Sequence, residues 1–139
     1  MKIITKNSKE TQDLAKKLLI KLSGGEVLAL EGDLGAGKTT FTQGLAKALG
    51  IKDKVTSPTF VLLKIYKTKH TRIKQLVHID AYRLNNATDL EAVGWQDYLN
   101  QDTLVVIEWA DKVKATLPKT TKWLKFSLLP DESHQIEML

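Results

Sequence analysis

The chain has 139 residues, a net charge of +5, a hydrophobic fraction of 42% and no cysteine. That length suits one domain spanning residues 1–139, and the apolar content is too high for a disordered chain. Without cysteine there is no disulfide framework and no thiolate metal site, and without a long apolar run the sequence predicts a soluble, cytoplasmic protein that does not enter a membrane.

A short strand is predicted over Lys2 to Thr5, followed by Asn7 and Ser8, either of which can cap a helix. Leu14, Leu18 and Leu22 recur at four-residue spacing on that helix, and Gly24-Gly25 is expected to stop it. Val27-Leu28-Ala29-Leu30 is a compact apolar run of the kind found in a buried central strand. Beyond the glycine-rich segment that follows, Phe41, Leu45 and Leu49 line one side of a helix ending at Gly50. Residues 59–66 and 73–79 suggest a hairpin across a polar connection from Lys67 to Arg72. A short helix is expected over Thr88 to Val93, with Thr88 and Glu91 at capping-box spacing. Leu104 to Ile107 is a second buried strand ending at Glu108, and Lys122–Leu129 and Ser133–Met138 close the chain as strands. Strands and helices alternate early and extended segments dominate late. The expected fold is therefore α/β, a mixed, largely parallel sheet with helices on both faces.

Charge is segregated along this order. Residues 51–80 hold seven Lys/Arg against Asp53 and Asp80, whereas Leu84 to Asp111 holds six acidic residues and no Lys or Arg. Such a division suits either solvated faces or electrostatic docking of a partner.

The segment with the clearest chemistry is Gly32-Asp33-Leu34-Gly35-Ala36-Gly37-Lys38-Thr39, which satisfies the Walker A pattern between a strand and a helix. Its glycines let successive backbone N–H groups turn toward phosphate oxygens, and the helix adds its positive end. Lys38 brings a point charge to the β- and γ-phosphates, and the Thr39 hydroxyl is a hard ligand for Mg²⁺. A nucleotide triphosphate with Mg²⁺ also needs a carboxylate at the end of a nearby strand. Both Asp80 and Glu108 qualify, and spacing does not rank them. Thr56-Ser57-Pro58-Thr59-Phe60 stands where a γ-phosphate-sensing segment would lie, with Pro58 restraining Ser57 to an extended conformation. His78 shares a strand face with Asp80 and reads as a packed or hydrogen-bonded histidine rather than a metal ligand. Trp109, beside Glu108, could lie close to the nucleotide. Arg72 and Arg83 are the only arginines, so an arginine finger in cis is one of them.

The Walker A segment extended through Thr40-Phe41 is followed by Ser57-Pro58-Thr59-Phe60, His78-Ile79-Asp80-Ala81-Tyr82-Arg83-Leu84 and Val106-Ile107-Glu108-Trp109-Ala110. In this order and spacing the chain resembles the TsaE (YjeE) family over nearly its whole length. The resemblance implies a three-layer P-loop NTPase fold. It also implies an ATPase that works with TsaD and TsaB proteins in making N6-threonylcarbamoyladenosine in tRNA, where hydrolysis resets the complex and tRNA contact is possible. It further implies Gly35, Ala36, Gly37, Lys38, Thr39 and Thr40 around ATP, with Thr39 and Glu108 as Mg²⁺ ligands. Asp80 would act in hydrolysis alongside Lys38 and Glu108, and Thr11 would lie near the base. Residues 116–139 carry no motif. Two other readings fit a P-loop: a small phosphotransferase of the nucleoside-kinase type, which needs a lid rich in arginine, and a GTPase-like switch, which needs an Asn-Lys-x-Asp motif absent from this chain.

Overall fold

A computed structural model describes residues 1–58 and 61–139. Seven strands form one sheet: β1 (Lys2–Thr5), β2 (Val27–Gly32), β3 (Leu63–Lys67), β4 (Gln75–Asp80), β5 (Thr103–Glu108), β6 (Lys122–Leu128) and β7 (His134–Met138). Their order is β1-β7-β6-β2-β5-β4-β3. The central strands β6, β2, β5 and β4 run parallel, and the hairpins β3–β4 and β6–β7 and the pair β1–β7 are antiparallel. Helices α1 (Ser8–Leu19) and α2 (Lys38–Ala48) cover one face. The other carries α3 (Ala87–Glu91) and the 3₁₀ segments Trp95–Tyr98 and Ala110–Thr116. The predicted mixed α/β architecture is therefore present.

Alternation along the buried strands divides the core. Leu28 and Leu30 of β2, with Leu104 and Val106 of β5, pack beneath α1 and α2. Val27 and Ala29, with Val105 and Ile107, pack on the opposite face around Trp95. On β4 the face of Leu76 also carries His78 and Asp80, and on β5 the face of Val106 carries Glu108. Period-2 geometry thus brings both strand-end carboxylates to the side of the sheet that holds α2.

Several expected boundaries move, each for a local reason. Asn7 caps α1, accepting the Glu10 N–H at 2.9 Å. The helix ends at Leu19, before the glycine pair, and two short turns deliver Leu22 into the core. Gly24 instead allows close approach: a Cβ there would stand 2.0 Å from the Gln101 carbonyl oxygen. The expected Thr88–Glu91 capping box does not form, because Asn86 caps α3 by accepting the Asp89 N–H at 3.1 Å. Strand β3 begins at Leu63, later than residue 59, and Thr59 and Phe60 lie outside the described residues. The α2 terminus falls as expected, with Gly50 left-handed and Ile51 N–H bonded to the Ala46 carbonyl in a Schellman closure.

Helices α1 and α2 meet at Gly44, where a Cβ would lie 2.6 Å from Gln12 Cα and 2.8 Å from its carbonyl oxygen. Backbone atoms cannot yield as a side-chain tip can. Gly44→Ala should therefore destabilise the protein by about 1–3 kcal/mol, despite the better helix propensity of alanine. Urea denaturation checks this, and a stabilised variant would contradict the close approach.

Candidate nucleotide site

The glycine-rich segment forms a loop between β2 and α2 whose shape depends on particular residues. Gly32 closes β2 at φ +143°, and a Cβ there would meet the Phe126 carbonyl oxygen at 2.3 Å. Gly35 and Gly37 are left-handed, and Ala36 N–H turns back onto the Asp33 carbonyl at 3.1 Å. Helices α1 and α3 have asparagine caps, but α2 begins at Gly37 with no side-chain cap. Its first-turn N–H groups have no partners within the helix and mark a positive end open to an anion.

Lys38 is 5% exposed. Its ammonium donates to the carbonyls of Gly32 and Asp33 and lies 4.2 Å from the centroid of the Trp109 ring. Burial pushes its pKa below the ordinary lysine value, against the opposing influence of Glu108, Asp33, Asp80 and Asp111. Trp109 follows β5 in a left-handed conformation at φ +57° and begins the 3₁₀ segment Ala110–Thr116.

Asp80 and Glu108 end adjacent parallel strands in register, and both are nearly fully buried. Sequence could not separate them, yet their surroundings differ. Glu108 accepts the Thr39 hydroxyl at 2.9 and 3.2 Å on its two oxygens. Its Oε2 also meets His78 Nε2 at 2.5 Å, so His78 is hydrogen bonded rather than merely packed. Asp80 accepts the Tyr82 N–H at 2.9 Å on Oδ1 and the Ser57 hydroxyl on Oδ2.

These groups line a cleft of about 440 Å³ that gathers Gly35, Gly37, Lys38, Thr39, Thr40, Asp80, Glu108 and Trp109. Ala36 is buried within the loop. The Thr11 hydroxyl is buried against that of Thr5 at 2.7 Å; Thr5 pairs with His134 across β1 and β7, and Thr11 itself does not line the cleft. Three nearby residues have no role assigned by the sequence. Tyr82 packs on Trp109 with ring centroids 5.1 Å apart, Lys112 donates to the Tyr82 carbonyl at 2.5 Å, and His134 lines the cleft from β7. Arg72 lies beside Gly24, Lys74 and Asp102 at the opposite ends of β4 and β5. A strand of six residues separates the two ends by about 17 Å.

A family model described as threonylcarbamoyl adenosine biosynthesis protein TsaE matches residues 5–137. The chain is 36% identical over 136 residues to the tRNA threonylcarbamoyladenosine biosynthesis protein TsaE of Treponema pallidum, covering 98% of each chain. It is 37% identical over 132 residues to the protein of that name from Bacillus subtilis, covering 95% of this chain and 80% of the relative. The crystal structure of Bacillus subtilis YdiB superposes with a TM-score of 0.81 at 33% identity, covering 99% of this chain and 83% of that one.

Proposed function

The chain belongs to the TsaE family of threonylcarbamoyl adenosine biosynthesis proteins, and from that premise we propose that it is a Mg²⁺-dependent ATP hydrolase. In this reading it serves, with TsaD and TsaB proteins, in the N6-threonylcarbamoyladenosine modification of tRNA, and hydrolysis resets the complex. The observation that carries the ATPase reading is the contact between the Thr39 hydroxyl and the Glu108 carboxylate, made beside Lys38 at the mouth of an uncapped helix.

The donor set fits Mg²⁺, which takes one or two protein oxygens and completes its shell with water and phosphate. In this reading the ion arrives with its nucleotide. Thr39 and Glu108 would hold it, and bound there it would neutralise charge on the β- and γ-phosphate oxygens. Lys38 exchanges its two carbonyl partners for phosphate oxygens. Asp80, oriented by Ser57 and the Tyr82 amide, holds the attacking water and takes its proton. Water oxygen bonds to the γ-phosphorus, the bond to the β-phosphate oxygen breaks, and ADP and phosphate leave. A kinase lid finds little support, because Arg72 stands at the far end of the sheet.

The test compares two variants. Glu108→Gln should lose the Mg²⁺-dependent part of ATP affinity, whereas Asp80→Asn should bind ATP with Mg²⁺ normally and turn over about 10²–10⁴-fold more slowly. Titrations with and without Mg²⁺, beside single-turnover rates, separate them. The reverse pattern would exchange the two roles, two variants that both bind and hydrolyse normally would remove both carboxylates from the mechanism, and wild type that hydrolyses no ATP would remove the ATPase reading.

A further inference from the structure

The cleft extends to both sides of β2, and only one side is accounted for by the proposed chemistry. Asp80 and Glu108 come from β4 and β5, so the γ-phosphate and its water belong there. The rest of a nucleotide must then run across the loop toward β6 and β7, on the other side of β2 in the sheet order. Among the described lining residues, His134 is the one contributed from that side.

His134 is held firmly. It opens β7 opposite Leu128 of β6 and Thr5 of β1. The turn before it is closed by Leu129 N–H on the Ser133 carbonyl at 2.8 Å and by Asp131, which accepts both the backbone N–H and the hydroxyl of Ser133. Strand alternation puts its ring on the face of Ile136, the face that carries α2. Its Nδ1 lies 3.0 Å from the Ala36 carbonyl, and a Cβ on Gly37 would be 3.5 Å from the same nitrogen. A carbonyl only accepts, so Nδ1 carries the hydrogen, and in the neutral ring Nε2 keeps its lone pair. No described protein group uses that acceptor.

We propose that His134 is a nucleotide-binding residue whose Nε2 accepts a ribose hydroxyl, so that the nucleoside end of the nucleotide lies over the β6–β7 side of the loop. The assignment rests on the ATPase reading above. The competing role is that of a strut which only shapes the loop through Ala36. A strut would matter equally to every polyphosphate, whereas a ribose contact matters only to ligands that carry a nucleoside.

The experiment titrates wild type and His134→Ala with ATP, ADP and inorganic tripolyphosphate, each with Mg²⁺, and records thermal melting of the unliganded proteins. ATP and ADP affinity should fall about five- to tenfold, the worth of one neutral hydrogen bond, with tripolyphosphate affinity unchanged. Equal losses for all three ligands, or no loss of ATP affinity, would overturn the assignment. If His134→Ala does not fold, His134→Phe retains the ring volume without either nitrogen, and the same readings apply. Wild-type protein that binds neither ATP nor tripolyphosphate would remove the ATPase reading, and this assignment with it.

Discussion

ATP turnover by the isolated chain should be slow, and addition of TsaD and TsaB proteins should raise it by about 10³–10⁵-fold, the span a well-placed arginine contributes to phosphoryl transfer. The ground is the position of positive charge around the cleft. In the proposed mechanism Lys38 serves the β- and γ-phosphates, and Lys112 is engaged with Tyr82. Arg72 lies at the wrong ends of β4 and β5, which leaves Arg83, an exposed residue three beyond Asp80, as the one arginine of this chain near the site. A partner can either seat Arg83 or supply its own arginine. Lys52, Lys54, Lys64, Lys67 and Lys69 are all exposed, giving an acidic partner a surface to dock on, so the stimulation should weaken as salt rises. Steady-state assays at low and high salt check both statements. Rapid turnover by the chain alone, unaffected by those proteins, would favour a self-sufficient ATPase or a kinase.

Lys38→Ala should abolish hydrolysis and weaken ATP binding by roughly ten- to a hundredfold, the value of a charge-assisted hydrogen bond at about 1.5–3 kcal/mol. The fold should survive, because the substitution removes a desolvated cation along with its two carbonyl contacts. Calorimetric titration of the folded variant is the check, and an unchanged affinity would sink the phosphate-loop assignment. The wild type adds a pH signature. Burial lowers the Lys38 pKa from 10.5 in the free protein, and a bound polyphosphate would raise it again, so binding takes up a proton in between. Affinity is complete below the lowered value and declines as pH rises through it, beginning short of 10.5. The stability of the free protein moves the other way over the same interval, because the unfolded chain holds the proton more tightly there. In Lys38→Ala both trends should be absent.

What could be read beforehand follows from how local each feature is. The phosphate loop lies within eight consecutive residues between an apolar strand and a helix, so its chemistry and setting were visible together. Asp80 and Glu108 were visible as strand ends, but which one meets Thr39 depends on β5 lying next to β2, with β4 one strand further out. No spacing in the chain encodes that order. The same reason hid the partnership of His78 with Glu108, 30 residues apart, and that of His134 with Ala36, 98 residues apart. Local misreadings arose where two residues competed for one role. Asn86 and Thr88 could each begin a helix, and Asn86 prevails because its side chain reaches the Asp89 N–H while Asp89 in turn accepts from Asn85. Gly24-Gly25 resembled a helix stop because glycine serves both caps and close backbone contacts.

The register that sets Asp80 beside Glu108 also limits how this protein can be controlled. Adjacent strands hold a fixed spacing of about 4.8 Å, and both carboxylates end strands that are buried on each face. Shifting one against the other would require breaking the hydrogen-bond ladder of the sheet itself. The spacing of their Cα atoms is therefore set by the sheet, whatever occupies the cleft. The adjustable parts are the residues laid across them: Ser57 on its loop, the Lys38 ammonium parked on two carbonyls, and Trp109 at the strand exit. In the proposed mechanism, a signal that starts or stops turnover acts by moving those pieces over a stationary bench.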